Sequence, residues 1–413
     1  MKRTFGLLAS TGMLALILSA CSSTSSTPAT PNVNQQTGTG ATYTVATSAA
    51  VPGLQSNLGN PAGTIPTSGG FDISFVADGN YYLADRDTNG IDVINISTRK
   101  YTMLAGSGQF KGVNLANGNA AGPNGIFSVG TNLEMAGDGN STMKVINTST
   151  GAVVNTNSAN TIVTNTTPQV NAPVGWKCSG AIGGTPGGTY QRADEGAWDS
   201  TDNIAMLVND ADCPPFATFY NTAVSTYPQV AQISFVGANN GAEQPSWDPT
   251  QDLFLIAIPT TVTNPGGEVD VINPKAPTVI ASVFPEPANC QGNGTAIGPN
   301  EELFLGCSNQ STSQSLVILN ATNGATVATI PGAGGCDEVW YNKGDNRFYA
   351  ACSNNKVGGA GPIIAVVNAA SPFNLIATIP TNTGAHSVAA DATTNTLWVP
   401  MPGTNGINVY THN

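Results

Sequence analysis

A four-strand module recurs along this chain, and the repeat constrains the fold more than any other feature. Each copy opens with a polar residue and a short apolar strand. A turn and a second strand follow, then a third strand ending in Val-Ile-Asn or a close variant, then a fourth. The third strands are Asp92–Asn95, Lys144–Asn147, Asp270–Asn273, Val317–Asn320, Ala365–Asn368 and Asn408–Thr411, with a divergent copy near Ala217–Asn221. Aligning the first strands by their following turn gives equivalent positions at Ile73, Gly125, Gly196, Pro245, Gly294, Val339 and Val388, spaced 52, 71, 49, 49, 45 and 49 residues apart. Seven copies of this length predict an all-β, seven-bladed propeller with four-stranded blades. The 71-residue copy carries an insertion, roughly Thr161–Thr189. Two positions beyond the anchors stand Phe75, Phe127, Trp198, Trp247, Ala296, Tyr341 and Ala390. These are mostly aromatic, as expected for the layer where one blade packs on the next. No long stretch of 3.6-residue period follows the N-terminal segment, so helix should be nearly absent.

The first 20 residues stand apart from the repeat. Lys2 and Arg3 precede a short apolar run, Phe5 to Leu18, too short to span a bilayer comfortably and therefore read as a signal peptide. It ends Leu18-Ser19-Ala20-Cys21, which resembles the lipobox of bacterial lipoproteins. The resemblance implies that Cys21 becomes the first mature residue and carries the lipid, anchoring the chain to a membrane. Ser22, rather than Asp, implies the outer membrane of the cell envelope, with the domain facing the periplasm or the surface. Residues 21–68 read as lipidated cysteine plus low-complexity linker, and residues 69–413 as the propeller. A strand-like island near residues 42–49 interrupts the linker. The chain ends at Asn413 just after a third strand, so this island is expected to supply the missing outermost strand and close the ring.

Here resemblance to a family enters. Ser315–Gly332, SLVILNATNGATVATIPG, is similar to the YVTN-type propeller repeat, and Thr396–Thr411, TLWVPMPGTNGINVYT, fits its second-to-third strand pattern. Gly384–Ala389 resembles the start of such repeats. The resemblance covers about residues 70–413 and implies architecture rather than activity, because propellers host unrelated functions.

Composition limits the partners. Only 9% of residues are charged, against about a quarter in an ordinary domain. Lys+Arg number 13 and Asp+Glu 25. Removing residues 1–20 removes two of those cations, leaving 11 against 25, or −14. Nucleic acid is excluded as a partner by this lack of a basic footprint. Seven cysteines less Cys21 leave six. In an exported chain an even number points to disulfides. In the fifth blade Cys290 starts strand one and Cys307 ends strand two, and Cys336 and Cys352 repeat that placement in the sixth. The expected bridges are Cys290–Cys307 and Cys336–Cys352, which leaves Cys178–Cys213 to tie the insertion to its blade. A cysteine metal site is disfavoured, since there is no C-x-x-C and only His386 and His412 offer imidazole.

Residues just before each innermost strand of a propeller line the central channel. Here they are Asp72, Asn124, Glu195, Gln244, Asn293, Glu338 and Ser387. One position earlier stand Phe71, Pro123, Asp194, Glu243, Gly292, Asp337 and His386. A polar ring of this kind suits a solvated channel mouth. It also suits a ligand site, with Asp72, Asn124, Glu195, Gln244, Asn293 and Glu338 as candidates for Ca²⁺ or another divalent cation. Glu195-Gly196-Ala197-Trp198 resembles the start of gluconolactonase-type propellers, whose Glu, two Asn and Asp bind one divalent cation. Glu195 and Asn293 match two of these; Gln244, Glu338 and Ala197 depart from the pattern. That resemblance implies a metal-dependent lactonase or hydrolase, with His386 as a base. No G-x-S-x-G, Walker loop or Rossmann fingerprint is present. The leading expectation is a non-catalytic module binding a protein, glycan or small ligand at the channel face. The cation-dependent hydrolase is the alternative.

Overall fold

The structure, a computed structural model, describes residues 43–50, 70–114, 118–158, 192–309, 311, 313–402 and 406–412. The signal segment, Cys21, the linker and most of the insertion with Cys178 lie outside these residues. The described chain forms seven four-stranded antiparallel sheets. Their first strands are Phe71–Ala77, Ile126–Gly130, Gly196–Asp199, Pro245–Asp248, Gly292–Ile297, Val339–Asn342 and Ala389–Asp391. Each first strand packs against the next one around the ring, and the seventh packs against the first. The fold is therefore an all-β, seven-bladed propeller. Helix is confined to single 3₁₀ turns among the described residues, and none is long and apolar enough to cross a membrane.

Burial explains the repeat. Third strands sit in the middle of a blade with neighbouring blades over both faces, so they read as unbroken apolar runs. Leu316, Val317, Ile318 and Leu319 are all buried. Fourth strands have one face in water and alternate: Val327 is 44% exposed while Ile330 is buried. The Asn that ends most third strands is a turn residue. Asn95, Asn147, Asn221, Asn273 and Asn320 each accept on Oδ1 from a backbone N–H two or three residues on, at 2.8–3.0 Å. The first hairpin is capped alike: Asp199, Asp248 and Asp391 accept from Thr201, Thr250 and Thr394 at 2.7–2.9 Å. Those turns end on left-handed residues, Asn203, Asp252 and Asn395, as does the sixth blade's on Asn346, the side chains that tolerate positive φ best. Between blades, aromatic rings from second strands meet, with Phe304 and Phe348 stacked at 4.7 Å.

Two cross-strand disulfides stand at the ends of their hairpins, Cys290–Cys307 and Cys336–Cys352, with Cα atoms 4.4 and 3.6 Å apart. Cys213 is also disulfide-bonded. In the seventh sheet the backbone of Tyr43–Ala50 runs antiparallel to Gly406–His412, from Tyr43 opposite His412 to Ala50 opposite Gly406, with a bulge after Val45.

Candidate ligand site in the central channel

In blades three, four and six a polar residue stands just before the first strand and an aromatic residue three positions later. Glu195, Gln244 and Glu338 thus lie at one end of the channel, and Trp198, Trp247 and Tyr341 further along. The polar end divides into groups that hold one another.

Asp72 lies between two cations. The Arg86 guanidinium binds its carboxylate and also donates to Asn124 Oδ1, from Nε at 3.1 Å and Nη2 at 2.6 Å. His386 Nε2 stands 3.2 Å from the other Asp72 oxygen, its Nδ1 lies 2.7 Å from the Gly384 carbonyl, and its ring stacks on Phe71. Burial alone would raise the Asp72 carboxyl, but the charge of Arg86 and the hydrogen bond from His386 hold it well below the usual range. Burial would lower the His386 imidazole; the hydrogen bond and charge of Asp72 outweigh that and lift it to about 9. Arg192 makes a second group, forked onto Asp210 at 2.9 and 2.6 Å and reaching Asp194 at 2.9 Å. Asn293 donates to Asp337 at 3.1 Å.

The third group spans the channel. Glu195 of the third blade and Glu338 of the sixth are 7% and 1% exposed, and their carboxyls hydrogen-bond each other. Among the described residues no N–H or O–H other than that of the partner carboxyl reaches Glu195 Oε2 or Glu338 Oε1, so the hydrogen between them is a carboxyl proton. Burial, with the neighbouring carboxyl charges, raises both groups, Glu338 to about 8. Gln244 locks the pair's surroundings. Its Nε2 donates to Glu338 Oε2 at 3.1 Å, and its Oε1 accepts from the Thr295 and Val339 N–H groups at 3.1 and 3.3 Å. One side chain thereby joins blades four, five and six. Ser387 does the same between blades seven and one, with its Oγ 2.9 Å from Ser74 N.

The six residues expected to ligate a divalent cation are therefore not one constellation. Glu195, Gln244 and Glu338 come together; Asp72 and Asn124 are bridged by Arg86; Asn293 belongs to Asp337. Among the described residues no group of three or more His, Cys, Asp or Glu side chains is arranged to hold a metal ion.

Beyond the carboxyl pair lies a cavity of about 410 Å³, walled by Phe75, Phe127, Trp198, Trp247, Trp340 and Tyr341. The aromatics expected purely as blade-packing residues thus also face the channel. Phe75 and Trp340 meet edge to face at 5.2 Å from blades one and six. Between them the seventh blade carries only Ala390 at the matching position, which leaves room for the contact. Arg86, Arg192 and Trp340 were not singled out by sequence. Trp340 sits next to an aligned aromatic, and that adjacency was its one available signal.

No protein-family model and no curated protein sequence matches the chain. Among solved structures, a chain from a crystal structure of the mitotic checkpoint complex is similar over 97% of this chain and 98% of its own, with a TM-score of 0.60 at 11% identity. At that identity the likeness is one of fold alone.

Proposed function

We propose that this protein is a lipid-anchored propeller of the bacterial cell envelope, of YVTN type, that binds a small ligand without transforming it, in the aromatic-walled channel cavity. The cavity carries the reading. Its volume is in the range of small-molecule sites, and its walls are apolar with a few convergent polar groups at one end, the usual design of such sites. The disulfides agree with an oxidising compartment. Binding is preferred to cation-dependent hydrolysis because the residues expected as metal ligands carry protein partners of their own.

Two expected results test this. Trp198, Trp247 and Trp340 line the cavity, so hits from a diverse small-molecule screen should change tryptophan emission. Ala296→Trp, which fills the cavity from the fifth blade, should keep a cooperative melt and lose those hits. Hits that bind Ala296→Trp equally, or a screen without hits, would remove the cavity as the site. For the anchor, full-length protein from cells should partition into the detergent phase and Cys21→Ser into the aqueous phase. Identical partitioning of the two would end the lipoprotein reading.

A further inference from the structure

We infer that the ligand class taken by the channel cavity is a compact organic cation, a quaternary ammonium group; this rests on the cavity being a binding site. Three observations converge on it. The first is the walls: Trp198, Trp247, Trp340 and Tyr341 turn aromatic surface towards the space, and aromatic faces attract cations, those of tryptophan most strongly. The second is the carboxyl pair. Glu195 and Glu338 line the same cavity, are more than nine-tenths buried, and are joined by a carboxyl proton, with no N–H of the described residues on Glu195 Oε2 or Glu338 Oε1. Among the described residues no Lys, Arg or His lines the cavity. The channel cations Arg86, His386 and Arg192 are already engaged, the first two by Asp72 and the third by Asp194 and Asp210.

The third observation concerns what else is on offer. Ser74 bonds Ser387, Ser246 donates to the Thr295 carbonyl, Thr295 donates to the Gln244 carbonyl, and both ends of the Gln244 amide are occupied. A sugar needs many free donors and acceptors, and besides the carboxyl pair only the Trp247 indole N–H stands buried without a partner among the described lining side chains. An anion would meet two carboxyls. What remains open is a carboxyl pair that can exchange its proton for a bound cation amid aromatic surface, and the ligand complementary to both is a cation whose shell is apolar. A quaternary ammonium fits best, because it asks for no hydrogen-bond acceptor and is weakly hydrated.

Choline and its uncharged isostere 3,3-dimethyl-1-butanol separate charge from shape. Titrated into the intact lipid-free protein and followed by tryptophan emission, choline should bind at least about tenfold more tightly than the alcohol. Trp340→Leu should weaken choline by about tenfold or more while affecting the alcohol less. The double variant Glu195→Gln, Glu338→Gln should bring choline down to the level of the alcohol. Gln keeps the shape of a protonated Glu but cannot release a proton to make way for a cation, so that variant should keep its fold, as a circular dichroism melt would verify. Equal affinity of the two probes for the wild-type protein would overturn the cation while leaving a cavity site that reads shape alone. Binding of neither probe, alongside screen hits of other chemistry, would also overturn the cation and spare the cavity; binding of neither with no hits would remove both.

Discussion

Deleting residues 43–50 should lower the melting temperature of the domain by about 5 °C or more, scaling the per-residue unfolding entropy to a chain of this size. We propose that this strand closes the ring. Its backbone covers the whole length of Gly406–His412, seven paired positions along the outer edge of the seventh sheet. Without it, that edge presents unpaired N–H and C=O groups to solvent. The seventh blade is the most dependent on such cover, since its first strand, Ala389–Asp391, is the shortest of the seven. The strand also pairs sequence positions more than 350 residues apart. Two readouts are expected together: a lower melting midpoint, and self-association on size exclusion as exposed edges find one another. Deleting residues 22–42 instead should leave the midpoint unchanged, which separates strand loss from simple truncation. An unchanged melt and a monomeric profile after loss of Tyr43–Ala50 would mean that the blade stands on three strands.

What could be read from the chain, and what could not, divides by the range of the interactions. The blades were legible because their signals are local. An apolar third strand needs only two covered faces, and its terminal Asn needs only a turn within three residues, as at Asn320. The cysteine pairs of blades five and six followed from hairpin register, again a local matter. The site was legible only as a ring of candidates. Whether Asp72 and Asn124 belong with Glu195 depends on Arg86, which comes from the end of the neighbouring strand and occupies the space between them. Sequence spacing carries no record of that. Likewise Glu195 and Glu338 lie 143 positions apart, and only the closed ring sets them face to face. Composition gave a coarse hint, acids clustered at the strand starts of a chain poor in charge. It could not say which acids serve turns, as Asp199 and Asp248 do, and which are confined in the channel.

That confinement should make the protein most stable in mild acid and progressively less stable up to about pH 9. The sign follows from two kinds of group. His386 is lifted to about 9 in the folded state. Its contribution is complete below its unfolded pKa of about 6.5 and is lost as the pH rises through 9. Glu338 is raised to about 8, and Glu286 likewise to about 8, both through burial. Above about pH 4.5 the unfolded chain releases protons that the folded chain retains, so each imposes a penalty that grows until about pH 8. Glu195 and Glu243 are displaced in the same direction. Asp72 acts oppositely: held low, it stabilises above about pH 4 and its contribution fades in stronger acid. The sum is a maximum near pH 5 and a fall of several kcal/mol by pH 9, an order-of-magnitude figure. Calorimetry from pH 4 to 9 measures it, and a flat or rising profile would refute the assignment. Glu338→Gln assigns the basic limb. A neutral amide there removes the proton that must be lost and donates to Glu195, letting that carboxylate ionise with a partner. The variant should therefore melt higher than wild type at pH 8 and about equally at pH 5. Glu338→Gln melting lower at both pH values would show that the pair contributes through packing rather than through its shared proton.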